Sequence, residues 1–119
     1  MMLFEVIQKI LGHRKKGDKE EALKQIDYFY SCLNIDDDVR SKSIEELMKL
    51  LVEKKQLTNE HIEMVGIVLK EQGELTEDIK EKTDFFRKSY FLLDKVERES
   101  TSFSMERQMK LSKLREFLN

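Results

Sequence analysis

Proline is absent from the 119 residues of this chain, and glycine occurs only four times. These two residues are the main helix breakers, because proline lacks the backbone N–H and glycine loses the most backbone entropy on folding. Apolar residues recur at helical spacing along the chain, and no window shows the sustained alternation of a strand. The sequence therefore predicts an all-α fold in a single domain spanning residues 1–119.

About six helices are predicted from the apolar spacing and from residues that cap helices. Ser43 and Glu46 are spaced as a capping box. The longest helix is predicted over 77–99 with Ile79 facing inward, and Gly73 is predicted to end the preceding helix in a left-handed conformation. Short connections imply antiparallel neighbours, hence stacked helical hairpins or a compact bundle. The predicted N-caps are Asp18, Ser43, Thr58, Thr76 and Ser104.

The run Gly17–Ile26 resembles the second half of a tetratricopeptide repeat (TPR), in which a glycine turns the chain and a small alanine lets two helices pack closely. Gly66 and Gly73 are similar to the close-packing glycine and the turn glycine of that repeat. The pattern departs from the repeat at Ile10 and Phe29, where the repeat has small residues. The resemblance implies TPR-like helical hairpins in two separated patches and no regular array.

A second resemblance covers most of the chain, to a family of uncharacterised small bacterial all-helical proteins. It implies a bacterial source and a helical fold, and it assigns no activity and no catalytic residues. The segments that carry it are Ile10–Gly12 leading into Gly17–Ile26, then Ser43–Leu47, Gly73–Glu74 and Phe103–Gln108.

Charge and cysteine content narrow the function classes. Lysine and arginine number 22 against 24 acidic residues, a formal charge of −2, which lacks the basic excess of nucleic-acid-binding proteins. Cys32 is the only cysteine, which excludes an intrachain disulfide and is typical of a reducing cytoplasm. The apolar stretches fall short of the ~20 residues of a membrane span. We therefore expect a cytoplasmic protein without a nucleic-acid partner, and membrane association is disfavoured.

No motif in the sequence indicates catalysis. A P-loop, a dinucleotide-binding glycine run, a nucleophile elbow and a paired-histidine zinc motif are all missing. We therefore predict that the chain is not an enzyme and has no cofactor and no metal site. The residues His13 and His61 are predicted to be surface histidines, and Cys32 is predicted to behave as a small apolar residue beside the core.

The acidic connection 34–40 places oxygen donors at several positions of a calcium-binding loop, starting from Asn34. Val39 stands where that loop requires glycine, and Lys42 stands where an oxygen donor is usual. A solvated loop whose acidic residues favour the start of the next helix is the preferred interpretation.

Tyr28 and Phe91 lie off the predicted apolar faces of their helices, among charged residues. Exposed aromatic side chains ringed by arginine and lysine are typical anchors of protein interfaces. The alternative is that another helix of the same domain covers each one. The predicted partner-contact residues are Tyr28, Phe91, Arg87, Lys88 and Lys95.

The first helix combines an apolar segment, Leu3–Leu11, with the basic residues Arg14, Lys15 and Lys16. A core helix, or one buried against a second copy of the chain, explains this pattern more simply than a helix on an anionic membrane. The favoured function is therefore a protein–protein interaction or self-association module that binds a protein partner or itself, as in a homodimer. The alternative is a helical protein that responds to a small molecule or a metal.

Overall fold

The fold was obtained as a computed structural model, and the structure describes residues 2–119. Within these residues all regular secondary structure is helical, which confirms the all-α prediction. A 3₁₀ turn at Val39–Ser41 precedes α3, and α3 continues into a π-helical segment at Lys49–Lys54. The six α-helices are α1 (Leu3–Lys15), α2 (Lys19–Cys32), α3 (Ile44–Met48), α4 (Asn59–Glu74), α5 (Ile79–Glu99) and α6 (Met105–Leu118).

Four of the predicted N-caps are confirmed. The side chains of Asp18, Thr58 and Ser104 each accept a hydrogen bond from a backbone N–H three residues later. Ser43 and Glu46 form the reciprocal capping box, in which Glu46 Oε1 accepts from the Ser43 backbone N–H at 2.9 Å. Each cap satisfies one of the backbone donors that a helix start leaves free.

The predicted start of α5 is wrong by about two residues. Its N-cap is Asp78, whose carboxylate accepts from the backbone N–H of Lys80. Thr76 instead donates its hydroxyl to the carbonyl of Gln72 at 2.6 Å, so it stabilises the end of α4. Ile79 is consequently in the first turn of α5 and is 62% exposed, which contradicts its predicted inward position.

Gly73 does not end α4 in a left-handed conformation, and that prediction is also wrong. The helix continues through Gly73 to Glu74. A Cβ at position 73 would lie 2.4 Å from Cε1 of Phe86, and a Cβ at Gly66 would lie 3.0 Å from Cδ2 of Leu93. Both glycines therefore allow α5 to approach α4. Gly17, with φ of +79°, is the turn glycine that the sequence predicts between α1 and α2.

Three pairs of consecutive helices pack together, α1 with α2, α4 with α5 and α5 with α6, and α1 also packs on α4. Ser89 of α5 donates to the carbonyl of Gly66, while Gly73 further along α4 meets Phe86 earlier in α5, so α4 and α5 are antiparallel. α6 runs back along α5, and the rings of Phe86 and Phe117 meet edge-on at 4.7 Å between centroids. The main core joins α1, α2, α4 and α5 with the α3 region, and a smaller cluster joins α5 and α6.

α4 and α6 run in the same direction, because both are antiparallel to α5. Two observations show that α1 runs in this direction as well. Phe4 and Glu60, near the starts of α1 and α4, line one cavity, and Arg14 near the end of α1 forms an ion pair with Glu71 near the end of α4. No helix among residues 2–119 has the length and apolar character needed to cross a membrane.

Candidate functional site: a groove between α1, α4 and α6

The parallel helices α1, α4 and α6 enclose a groove, called here the α1–α4–α6 groove. α4 forms its floor, and α1 and α6 form its walls. The apolar section, near the starts of α1 and α4, has a volume of about 400 Å³. The basic section, towards their ends, has a volume of about 330 Å³. The two sections are continuous, since both are lined by Leu11, Glu106 and Lys110.

The spacing of the lining residues along α4 and α1 explains why they share one groove. The floor residues Met64, Ile67 and Glu71 follow one another at intervals of three and four residues along α4, so they lie on one face of that helix. Phe4 and Lys15 bound the corresponding stripe on α1. At 1.5 Å per residue this stripe is about 16 Å long.

Ion pairs at both ends of the groove tie its walls to its floor. Arg14 of α1 pairs with Glu71 of α4, whose side chain is buried. At the other end the buried Arg107 of α6 lies 3.3 Å from both carboxylate oxygens of Glu63 on α4 and 2.7 Å from Glu97 on α5. Because a buried charge is costly without its partner, these pairs hold the three helices in a fixed arrangement.

Large apolar side chains remain exposed on both walls. Phe4 on α1 is 58% exposed and lines the apolar section. Met109 on α6 is 54% exposed and lines the basic section. The floor between them carries the half-buried Met64 and Ile67. Each wall of the groove therefore carries an exposed apolar side chain, Phe4 over the apolar floor and Met109 in the basic section.

The basic section is rich in cations. Two carboxylates line it, those of Glu71 and Glu106, together with five cationic side chains: Arg14, Lys15, Lys70, Lys110 and Lys113. The apolar section has instead an acidic rim, formed by Glu60, Glu63 and Glu106. The groove is thus polarised along its length, with acidic groups at one end and lysines at the other.

The structure places the predicted partner-contact residues outside this groove. Tyr28 on α2 and Phe91 on α5 are both partly exposed, and Arg87 is exposed. Neither aromatic side chain lines the groove. A side-chain hydrogen bond with Cys32 raises the pKa of the Tyr28 hydroxyl. Cys32 is itself exposed, which contradicts its predicted place beside the core.

The prediction of Lys88 as a partner contact is wrong, because this residue is only 1% exposed. Its ammonium group lies 2.7 Å from Oδ2 of Asp84. It also donates to the carbonyls of Val39, at 2.9 Å, and Arg40, at 3.3 Å, in the 3₁₀ turn. Lys88 therefore anchors this turn against α5.

Lys95 is largely occupied by contacts within the chain. Its ammonium group donates to Oδ1 of Asn59 at 3.1 Å and to Oε1 of Glu99 at 2.9 Å. Only a small part of the side chain is exposed. The bond to Asn59 joins the start of α4 to the end of α5, so Lys95 has a structural role. Its role as a partner contact stays a prediction.

A second, acidic cleft of about 460 Å³ lies between α2, the 34–41 connection and the start of α5. In its wall the Tyr30 hydroxyl donates to Oε1 of Gln72 at 2.6 Å, and burial raises the pKa of Tyr30. Hydrogen bonds from Arg40 lower the pKa of Asp38. Ile35 and Val39 are buried, so the connection is anchored by apolar side chains and is not solvated throughout.

Within residues 2–119, His, Cys, Asp and Glu side chains form no group of three suited to a metal ion.

Comparison with profiles of known protein families, with curated proteins and with solved structures found no match to this chain.

Reasoning from sequence missed the groove, although one signal for it exists. Ile62, Val65, Val68 and Leu69 form the predicted apolar face of α4, and all four are buried. The pair Met64 and Ile67 lies outside that face. Apolar side chains on a second face indicate that a helix has neighbours on two sides. α4 is such a helix, because its predicted apolar face is buried and its second face lines the groove.

Proposed function

We propose that this chain is a protein-interaction module and that the α1–α4–α6 groove is its binding surface. The observation that carries the proposal is the exposed Phe4 over the apolar floor, with the exposed Met109 on the opposite wall in the basic section. Aromatic residues and methionine are enriched in protein interfaces, where a few well-packed anchors supply most of the binding energy.

The rigidity of the groove also supports binding. Arg14–Glu71 and Arg107–Glu63 link the walls to the floor at both ends. A surface that is already in its binding conformation loses less conformational entropy when a partner arrives. The ion pairs thereby favour binding by holding the groove in one conformation.

The experiment that tests the proposal is affinity capture from lysate of the source cells with two matched variants. Phe4→Glu puts a charge on the groove wall. Phe103→Glu makes the same change at a residue that is 75% exposed and lies outside the groove. We expect a stoichiometric partner to be recovered with the wild-type chain and with Phe103→Glu, and to be lost with Phe4→Glu. Equal recovery with all three proteins would contradict the proposal.

The exposed aromatics predicted from sequence define a second candidate contact surface. Tyr28, Phe91 and Arg87 remain exposed to different degrees, and their role stays a prediction. Phe91→Ala is tested in the same capture experiment. If the partner is lost with this variant alone, the binding surface lies on α5 and not in the groove. A cytoplasmic location is proposed from the single cysteine. TPR-like character and bacterial origin rest on sequence resemblance.

Binding of a small molecule is the second candidate function. The apolar section, at about 400 Å³, falls within the ~300–1,000 Å³ of typical ligand pockets. A thermal-shift screen with common metabolites and metal ions tests this function. A ligand present at a hundred times its Kd stabilises the fold by ~2.7 kcal/mol. If no compound shifts the Tm, this alternative fails.

A further inference from the structure

We propose that the α1–α4–α6 groove binds a short segment of a partner protein in which a cluster of apolar side chains adjoins a cluster of acidic ones. The inference rests on the proposed function and adds the chemistry and the register of the bound segment. Apolar side chains of the segment lie over the apolar section, and its carboxylates lie over the basic section.

The charge of the basic section is the first argument. Five cationic side chains line it against two carboxylates, although the chain as a whole has a formal charge of −2. A local excess of one sign attracts segments of the opposite sign and sets the register in which they dock. An acidic cluster complements this section, and a basic one is repelled by it.

Three of these cations are also unpaired among the described residues. Arg14 is paired with Glu71, and Lys70 lies 3.4 Å from Glu74. No ion pair joins Lys15, Lys110 or Lys113 to a carboxylate within residues 2–119. These three ammonium groups are available to a ligand.

Lys110 and Lys113 differ from Lys15 in their position along the helix. Lys15 is the last residue of α1, where a cation offsets the negative end of the helix dipole. The other two lie in the interior of α6, Met105–Leu118, where the dipole gives no such reason. Both side chains line the groove wall, where they can pair with an anionic ligand.

The apolar section supplies the third argument. Phe4, Leu11, Met64 and Ile67 line it within the same continuous groove. A small inorganic anion or a uniformly acidic segment would leave these side chains in water. At about 16 Å the groove accommodates about five extended residues or three helical turns. The ligand is therefore a peptide segment with both kinds of side chain in sequence.

The experiment uses a random dodecapeptide library displayed on phage, selected on the full-length chain and counter-selected on Phe4→Glu. We expect the enriched peptides to combine an apolar cluster with adjoining aspartate or glutamate residues. The peptide of highest affinity is then synthesised with a fluorophore, and its Kd is measured by fluorescence anisotropy against the wild-type chain and two variants.

The variants reverse charges inside and outside the groove. Lys110→Glu combined with Lys113→Glu is expected to weaken peptide binding by about tenfold, since each reversal removes one attraction and adds one repulsion. Lys19→Glu, at an exposed position in the first turn of α2, is the control and is expected to leave the Kd unchanged. Binding to the wild-type chain is also expected to weaken as salt is raised.

The possible outcomes separate this inference from the proposed function. Enriched peptides that require Phe4 but contain no acidic residues would overturn the inference and leave the proposed function standing. A peptide whose Kd is unchanged by the combined Lys110→Glu and Lys113→Glu variant would do the same. If no enriched peptide depends on Phe4, the proposed function itself is contradicted. A concentration-dependent dimer that Phe4→Glu abolishes would show that a second copy fills the groove, and the acidic segment would be the wrong occupant.

Discussion

Replacement of Gly73 by alanine is expected to destabilise the fold, because α5 occupies the space that the new methyl group needs. An ideal Cβ at position 73 would lie 2.4 Å from Cε1 and 2.6 Å from Cδ1 of Phe86, and 3.3 Å from Cβ of Phe85. The Phe86 ring has little freedom to yield, since it packs edge-on against the ring of Phe117. α4 and α5 must therefore separate locally.

Gly12 provides a matched control for this substitution. It also lies within a helix, and a Cβ at this position would meet nothing within 4 Å. Gly12→Ala is expected to stabilise the fold by about 0.5–1 kcal/mol through helix propensity alone. Gly73→Ala has the same gain but also the cost of overpacking, so we expect a net loss of about 1–2 kcal/mol.

Urea unfolding followed by circular dichroism measures both free energies of unfolding. The two variants are expected to differ by about 1.5–3 kcal/mol, with unchanged m-values because the surface exposed on unfolding is the same. If Gly73→Ala is as stable as Gly12→Ala, α4 and α5 do not approach each other as closely as described, and the reasoning is refuted.

Two further predictions concern buried polar groups. Arg107→Met removes the cation that pairs with Glu63 and Glu97 and is expected to cost about 2 kcal/mol; an unchanged urea midpoint would contradict this. Burial raises the pKa of Tyr30, so the folded state keeps this proton longer than the unfolded chain. The free energy of unfolding should therefore fall as pH rises above about 10. Tyr30→Phe, which gives up the bond to Gln72, should flatten that decline, and identical slopes would rule out the assignment.

Local signals in the sequence were enough to predict the helices and most of their starts. A cap depends on a side chain and a backbone N–H three residues away, so Asp18, Ser43, Thr58 and Ser104 could be identified without tertiary information. The turn at Gly17 is local in the same sense. These features fix the order of the helices and four of their starts.

Features that depend on distant residues could not be predicted in the same way. A glycine near the end of an apolar run either caps the helix or admits a neighbour, and for Gly73 the answer depends on Phe86 in the next helix. Lys88 lies among charged residues in sequence, but carbonyl groups of the 3₁₀ turn and Asp84 satisfy it in the interior. Long-range contacts decided both cases.

The groove illustrates the same limit. Its three lining stripes come from α1, α4 and α6, and the sequence does not state that these helices are parallel neighbours. Phe4 belongs to the apolar segment Leu3–Leu11, for which a buried helix is the favoured interpretation, and nothing in the sequence pairs it with Met109. Only the packing of the helices shows that these side chains stand exposed on opposite walls.

An NMR titration tests the central claim most directly. The ¹⁵N-labelled chain is titrated with the library peptide of highest affinity, and backbone chemical shifts are followed. We expect the shift changes to concentrate around Phe4, Ile67 and Met109, in the three helices of the groove. Changes confined to the surroundings of Tyr28 and Phe91, with the groove unaffected, would contradict the assignment of the α1–α4–α6 groove as the binding surface.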